Sequence, residues 1–483
     1  MQNENIILTA TELEAVTGGY WENLPAQGIN IKFINYRRAG VKAGDLHVSL
    51  DKIVWSKDRN RDSVLEKIFA KGAVAVVIRK DVHINTDKPI LRVENTKKAL
   101  KSIAKASRRA TKATKVLVTG SVGKTGFKTQ LYHLLHNQFP TNAVLNSANK
   151  NVPIWRALSC IRTNDQVAII EVAVPKAGRG KKRARWVRPD ICVITDIGLE
   201  HITAHGGKLE NVIINKAEVA KGLQPGGKFI IPDKKGITDK LRQEISRHGD
   251  FEIFLFGEDD SCNGQLLSQK FTGFGWDIKA RIEDKIIEYR LPLLEEYAPL
   301  SSISVLLTAY HLGADIDKSV LEYNDYQQYD SSGNFFKLKN SKGNFYLYDQ
   351  SKRGEMDAFK STLRLISRME PAEGGRKIAI LSEFTNFEEA DKSIINIKEF
   401  SELIDRSGID LLYTTHYFTE HIKVLTDKSI WKNHSIDIEN IIPEILQSIG
   451  NNDIVFVRGT LKSNLKEIVQ QIFKSCEILK KYN

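Results

Sequence analysis

The 483-residue chain has no apolar run near the ~18 residues that a membrane-crossing helix needs. Its first stretch, MQNENIILTATELEAV, lacks a basic segment followed by a long apolar one. Neither secretion nor a membrane span is therefore expected, and the expected location is the cytoplasm. Cysteine is scarce: Cys160, Cys192, Cys262 and Cys476 lie far apart with no CxxC pair. They read as reduced, mostly buried thiols and argue against a metal cluster. Internal repeats, low-complexity tracts and arrays of interleaved aromatic and basic residues are missing too, so nucleic acid is not an expected partner.

What the chain has in excess is positive charge, 71 Lys and Arg against 59 Asp and Glu. That balance speaks to acidic partners and not to fold. Much of it is local. Residues 176–188 (KAGRGKKRARWVR) carry seven Lys/Arg and no acid. This run reads either as a solvated loop or as a contact for an anionic substrate.

The most informative stretch is VLVTGSVGKTGFKTQLYHLL, 116–135. Val116, Leu117 and Val118 end a buried strand; Gly120, Ser121, Val122 and Gly123 form a tight loop; Lys124 and Thr125 open a helix. Such a loop turns backbone N–H groups towards one anion, the helix dipole adds to it, and the lysine reaches terminal phosphates. The threonine hydroxyl can hold Mg²⁺. The alternative is a glycine turn that happens to precede a lysine.

Three α/β regions are expected: 1–112, 113–322 and 323–483. Strand–helix alternation from 113 predicts a parallel sheet wrapped by helices. Glu171 ends the strand QVAIIEVAV, and Asp196 and His201 follow the strand DICVITDIG, at the sheet edge where ligands gather. A lone glutamate in an apolar strand needs a partner or a metal. In KLENVIINKAEVAKGL, Lys216 falls on the apolar stripe, either as a snorkelling side chain or as one that serves a site. In the last region, FYLYDQSKRGEMDAF places Asp349, Ser351, Lys352 and Arg353 after a strand.

Taken together, these residues resemble the ATP-dependent Mur ligases of peptidoglycan synthesis, in layout most like the member that adds D-alanyl-D-alanine. TGSVGKT, NKNVP, the glutamate of IIEVAV, PDICVITDIGLEHITAHGG and INKAEVAKGL follow in the family's order, with RKIAILSE and VFVRGTLKSNL towards the C-terminus. The resemblance implies a central P-loop ATPase domain, a small N-terminal α/β domain for the acceptor and a C-terminal Rossmann-like domain for the amine. It implies ATP and Mg²⁺, an acyl phosphate, and then an amide. Lys124 would bind the β/γ-phosphates; Thr125, Glu171 and His201 would serve the metal; Lys216 matches the family's carbamylated lysine. Asp349 and Lys352 would close over the nucleotide, and a monomer or weak dimer is expected. Departures are also visible. EYAPLSSI lacks the family's adenine-side His and Asn, Asn334 stands for an arginine, Asp196 for an asparagine, and NYRR for the sugar-nucleotide signature. They point to a non-standard acidic glycan or peptide precursor joined to an amino acid or dipeptide. The alternatives are the housekeeping D-alanyl-D-alanine-adding ligase and a nucleotide-binding scaffold.

Overall fold

A computed structural model describes residues 5–50, 61–145, 150–198, 202–327, 333–351, 356–382, 394–416, 429–460 and 463–482. Strands among these residues form three sheets. The chain divides into two compact units. The first comprises Met1–Leu266, Arg281–Ile286 and Ser301–Val320, the second Leu267–Ala280, Ile287–Leu300 and Leu321–Asn483.

The first sheet holds β1 (Tyr20–Glu22), β2 (Phe33–Asn35), β3 (Asp45–Val48), β4 (Ala75–Arg79) and β5 (Ile90–Val93). Its order is β1-β5-β4-β3-β2, parallel except for β1. Helix α1 (Ala10–Thr17) starts on a Thr9–Glu12 capping box and stops at left-handed Gly18. Helix α2 spans Arg61–Ala70. Helix α3 (Thr96–Ala110), capped by Asn95, buries Ala99, Leu100, Ile103, Ala104 and Ser107 on one face. That spacing of three and four leaves its lysines and arginines outside.

The middle sheet is wound from β6 (Thr114–Thr119), β7 (Thr141–Ala143), β8 (Val167–Glu171), β9 (Ile191–Ile194), β10 (Lys228–Pro232) and β11 (Glu252–Gly257). It continues through β12 (Gly264–Phe271), β13 (Trp276–Ile282) and β14 (Lys285–Leu291) in the order β14-β13-β12-β11-β10-β9-β6-β8-β7. Strands β6 to β11 are parallel. The chain builds β7 and β8 on one side of β6, then β9 to β11 on the other. The winding reverses at β6, so a crevice opens beyond its carboxyl end. The helices here are α4 (Lys124–Leu135), α5 (Asn151–Ser159), α6 (Arg179–Val187), α7 (Leu209–Ala217), α8 (Thr238–Ser246), α9 (Ala298–His311) and α10 (Ile316–Glu322).

Helix α6 corrects one expectation. The basic run 176–188 is not a solvated loop; its core is a helix with Gly180, Arg183, Ala184 and Val187 buried. The inward stripe is made of small residues and one arginine, which hides the helical period. Gly180 is required by packing, because a Cβ there would lie 2.8 Å from the Asn215 carbonyl oxygen of α7.

The last sheet contains β15 (Asn334–Asn340), β16 (Gly343–Gln350), β17 (Lys377–Leu381), β18 (Leu411–Thr415), β19 (Trp431–Ser435), β20 (Ile454–Arg458) and β21 (Glu477–Tyr482). Its order is β19-β18-β17-β20-β16-β15-β21, with β16 to β20 parallel and β15 antiparallel to both neighbours. Helices α11 (Met356–Arg368), α12 (Ile394–Asp405), α13 (Ile442–Ser448) and α14 (Leu465–Ser475) accompany it. Phe335, Phe359, Phe400 and Phe456 fill one of its cores, and Leu338, Phe345, Ile378 and Ile468 another.

Candidate active site

Strand β6 delivers fully buried Val116, Leu117 and Val118 to the glycine loop. Gly120 has φ +154°, and a Cβ on it would sit 2.1 Å from Thr195 Oγ1. Gly123 caps α4 at φ +87°, a left-handed conformation that favours glycine. The segment after β9 belts the loop in place. Thr195 Oγ1 donates to the Val122 carbonyl (2.5 Å), the Ser121 N–H to the Asp196 carbonyl (2.9 Å), and the Gly198 N–H to Ser121 Oγ (2.8 Å). Lys234 Nζ holds that segment in turn, donating to Asp196 Oδ1 (3.0 Å) and the Ile197 carbonyl (2.9 Å). The Asp196 carboxylate is thus engaged by Lys234.

Lys124 folds back over its own loop, donating to the carbonyls of Gly120 (2.8 Å) and Ser121 (2.6 Å). One residue on, Thr125 Oγ1 lies 3.1 and 3.0 Å from the two carboxylate oxygens of Glu171. Glu171 is buried at the end of β8. Lys128 Nζ donates to Glu171 Oε2 at 2.8 Å, with both side chains at most 1% exposed. Sequence reasoning missed Lys128. The available signal was its spacing: it lies four residues after Lys124 and three after Thr125, on their face of α4.

A cavity of about 780 Å³ adjoins the loop. Gly120, Lys124, Lys150, Asn151, Ala173, Pro175 and Lys216 are among its lining, joined by Tyr36 and Arg37 from the first sheet's edge and by Lys176, Arg179 and Arg183. Among the described residues, four lysines and three arginines line this space and no carboxylate does. Lys216 is buried, as its place on the apolar stripe of α7 predicts. Arg183 Nε donates to Asn151 Oδ1 (3.2 Å) and its Nη1 to the Ala173 carbonyl. Burial, and after it the Arg179 charge, pull the Arg183 guanidinium below its ordinary value. The Gly178 N–H donates to Glu218 Oε2 (2.8 Å), tying the start of α6 to the end of α7. The residue before Lys216, Asn215, bonds buried His205 Nδ1 at 2.7 Å. A second cavity of about 370 Å³ shares Tyr36, Arg37 and Pro153 with the first and adds Asn35, Asp45 and Arg156. Burial raises the Asp45 carboxyl despite bonds from the Lys42 N–H and Asn35.

The structure therefore brings Gly120, Lys124 and Lys216 to one cavity and Glu171 to Thr125. Ser121, Val122 and Gly123 complete the loop. His201 and Lys352 lie outside the described residues. Asp349 ends β16 in the second unit, buried, with its Oδ1 accepting the Ser351 N–H at 3.0 Å. All four cysteines are free, and Cys160, Cys192 and Cys262 are buried. Among the described residues no helix is long and apolar enough to cross a membrane. Nor does any group of three or more His, Cys, Asp and Glu gather there as a metal cluster.

Residues 118–298 match the model of the Mur ligase middle domain. The UDP-N-acetylmuramoyl-tripeptide–D-alanyl-D-alanine ligase of Rickettsia prowazekii is 24% identical over 92% of this chain and 96% of its own length. The Bacillus subtilis ligase of the same name is 20% identical over 86% and 88%. Among solved structures, MurF from Acinetobacter baumannii superposes with a TM-score of 0.78 at 18% identity, covering 96% of this chain and 98% of that one. MurF ligase from Thermotoga maritima, in complex with ADP, gives 0.68 at 18% identity over 92% and 97%. Residues 118–298, which hold the glycine loop and the buried glutamate beside its threonine, are thus a Mur ligase middle domain, and the chain over most of its length is similar to the UDP-N-acetylmuramoyl-tripeptide–D-alanyl-D-alanine ligases.

Proposed function

We propose that the protein is an ATP-dependent carboxylate–amine ligase that joins an acidic acceptor to an amino acid or dipeptide. One observation carries this reading: a single cavity is lined by Gly120 and Lys124 of the glycine loop and by buried Lys216, and its charged lining among the described residues is cationic. Such a space suits a nucleotide and a carboxylate at once. The loop N–H groups and the α4 dipole hold the terminal phosphates, and Lys124 exchanges its loop carbonyls for phosphate oxygens. A carboxylate oxygen of the acceptor attacks the γ-phosphorus and ADP leaves, giving an acyl phosphate. The amine then attacks the acyl carbon, phosphate departs, and the nitrogen loses a proton. Catalysis of this kind rests on positioning and charge neutralisation.

A hydroxyl and a carboxylate meet at Thr125 and Glu171. This all-oxygen pair is the donor chemistry Mg²⁺ takes, the remaining positions going to phosphate and water. Thr125 and Glu171 would hold the ion, with His201 as a further ligand, and the ion would neutralise phosphate charge. A carbamate on Lys216 would add an anion to the cavity lining. Asp349 and Lys352 would serve the nucleotide.

The test is ADP release from purified protein with bicarbonate, paired amines and acceptors. The first pair to try is the one the relatives' names give, UDP-N-acetylmuramoyl-tripeptide with D-alanyl-D-alanine; pooled amino acids with acidic glycans come next. Turnover that needs both partners and is lost in Lys124→Ala supports the ligase. Nucleotide binding without turnover for any pair would favour a scaffold.

A further inference from the structure

We infer that Lys128 is a positioning residue that makes metal binding at Thr125 and Glu171 depend on the nucleotide. Its buried ammonium already neutralises Glu171, so a divalent cation is held there only together with nucleotide phosphate. The inference rests on the metal reading proposed above and deepens it. Glu171 ends β8, a strand whose five residues are all buried. A carboxylate so placed is costly without a cation beside it. Helix α4 supplies that cation one turn after it leaves the glycine loop. Lys128 Nζ donates to Glu171 Oε2 at 2.8 Å, while Thr125 Oγ1 lies 3.1 and 3.0 Å from Oε1 and Oε2. Side-chain exposure is 1% for Lys128 and 0% for Glu171, so water screens neither charge.

Enclosure fixes this pair as no surface pair is fixed. Phe127 and Leu131 of α4 are fully buried around Lys128, and Val118 of β6 stands opposite Glu171 in the sheet. An ammonium held in this way cannot turn to water without stranding the carboxylate. The two side chains therefore carry no net charge between them. A divalent cation approaching Thr125 and Glu171 is drawn by the carboxylate and repelled by the ammonium bonded to it. That repulsion offsets a large part of the attraction, and the strongly hydrated ion must also shed water. Nucleotide changes the balance. Its phosphates, seated on the N–H groups at the start of α4, add negative charge and oxygen donors beside Thr125. Lys128 thus gives Glu171 its counter-charge in the empty site and makes the hold on a metal conditional on phosphate.

The probe is Mn²⁺, a paramagnetic substitute for Mg²⁺, titrated into full-length protein with and without saturating ADP. Free ion is counted by its electron paramagnetic resonance signal. The parent should bind Mn²⁺ about tenfold or more weakly without ADP than as its ADP complex, and by linkage Mn²⁺ should tighten ADP by the same factor. Lys128→Gln keeps a donor for Glu171 and removes the charge. Its nucleotide-free affinity for Mn²⁺ should rise about tenfold or more, and its ADP complex should change less, so the linkage shrinks. Lys128→Arg restores a cation and should return the linkage towards that of the parent, which a merely structural role for Lys128 does not require. Lys128→Gln/Glu171→Gln should lose the gain, which assigns it to Glu171. Equal Mn²⁺ affinity with and without ADP in the parent would overturn the inference, and that result needs no variant to fold. So would a cooperatively unfolding Lys128→Gln that gains nothing. If the parent binds no Mn²⁺ even with ADP, the metal reading falls and the inference with it; the parent titration alone tells these failures apart.

Discussion

The middle and last sheets are both parallel over several strands but finish those strands differently. Both bring polar residues to the carboxyl ends. Beyond β6 the chain turns through glycines, and the polar groups frame an open cavity with a buried charge pair, Lys128–Glu171, behind it. Beyond β16 and β20 the polar groups close on one another. Gln350 donates to Tyr348 Oη (2.6 Å) and accepts from Thr362 Oγ1 and from Arg458 Nη1 (2.5 Å). The Arg458 guanidinium also lies 5.8 Å from the centre of the Phe359 ring. Among the described residues, one parallel sheet therefore borders a cation-lined cavity and the other a packed polar core.

The largest expected effect separates the two kinds of polar core. Lys128→Met strands Glu171 as a buried carboxylate without its cation, and should cost about 3–5 kcal/mol in denaturant unfolding. A loss below about 1 kcal/mol would mean that the pair is not buried as described. Next comes Lys124→Ala, where removal of a charge-stabilising donor should lower turnover on the order of 10²–10³-fold. The unfolding midpoint should move less than for Lys128→Met, since Lys124 is only partly buried and donates to the loop carbonyls of Gly120 and Ser121.

A third test concerns a buried group outside both sheets' edges. His47 on β3 is buried, and its Nδ1 has no partner among the described residues. Burial, then the Arg38 charge, bring its pKa down to about 4. Between the ordinary value near 6.5 and 4, the unfolded chain binds a proton that the folded chain refuses. Stability should therefore fall as pH drops through that window, by about 3 kcal/mol at most, and level off below it. His47→Phe should flatten that slope relative to the parent; parallel pH profiles would contradict it. The smallest effect belongs to the neutral network, where Thr362→Val removes one hydrogen bond and should cost about 1 kcal/mol. A loss as large as that of Lys128→Met would erase the contrast between charged and neutral cores.

Much of the site was legible because its chemistry is local. The phosphate loop announces itself in six residues, Glu171 by being charged within an apolar strand, and Lys216 by interrupting an apolar stripe. Lys128 was harder to read: its spacing from Lys124 and Thr125 was the one signal, and α4 buries Phe127, Lys128, Thr129, Gln130 and Leu131 in succession, which leaves no clean polar face to compare it with. Helix α6 was hidden for the opposite reason: its buried face is small and its charges dominate. The outer strands β15 and β21 escaped because β21 is largely exposed and gains its place from pairing across more than a hundred residues of chain. Non-local pairing leaves little trace in a window of sequence.

The central claim is that this cavity activates a carboxylate by phosphorylation. Its most direct test is isotope transfer, using UDP-N-acetylmuramoyl-tripeptide, or whichever acceptor supports ADP release, labelled with ¹⁸O in its reacting carboxylate. An acyl phosphate requires one labelled oxygen to appear in the inorganic phosphate released with the amide. Phosphate free of label, formed at the same rate with the amide product present, would contradict the account.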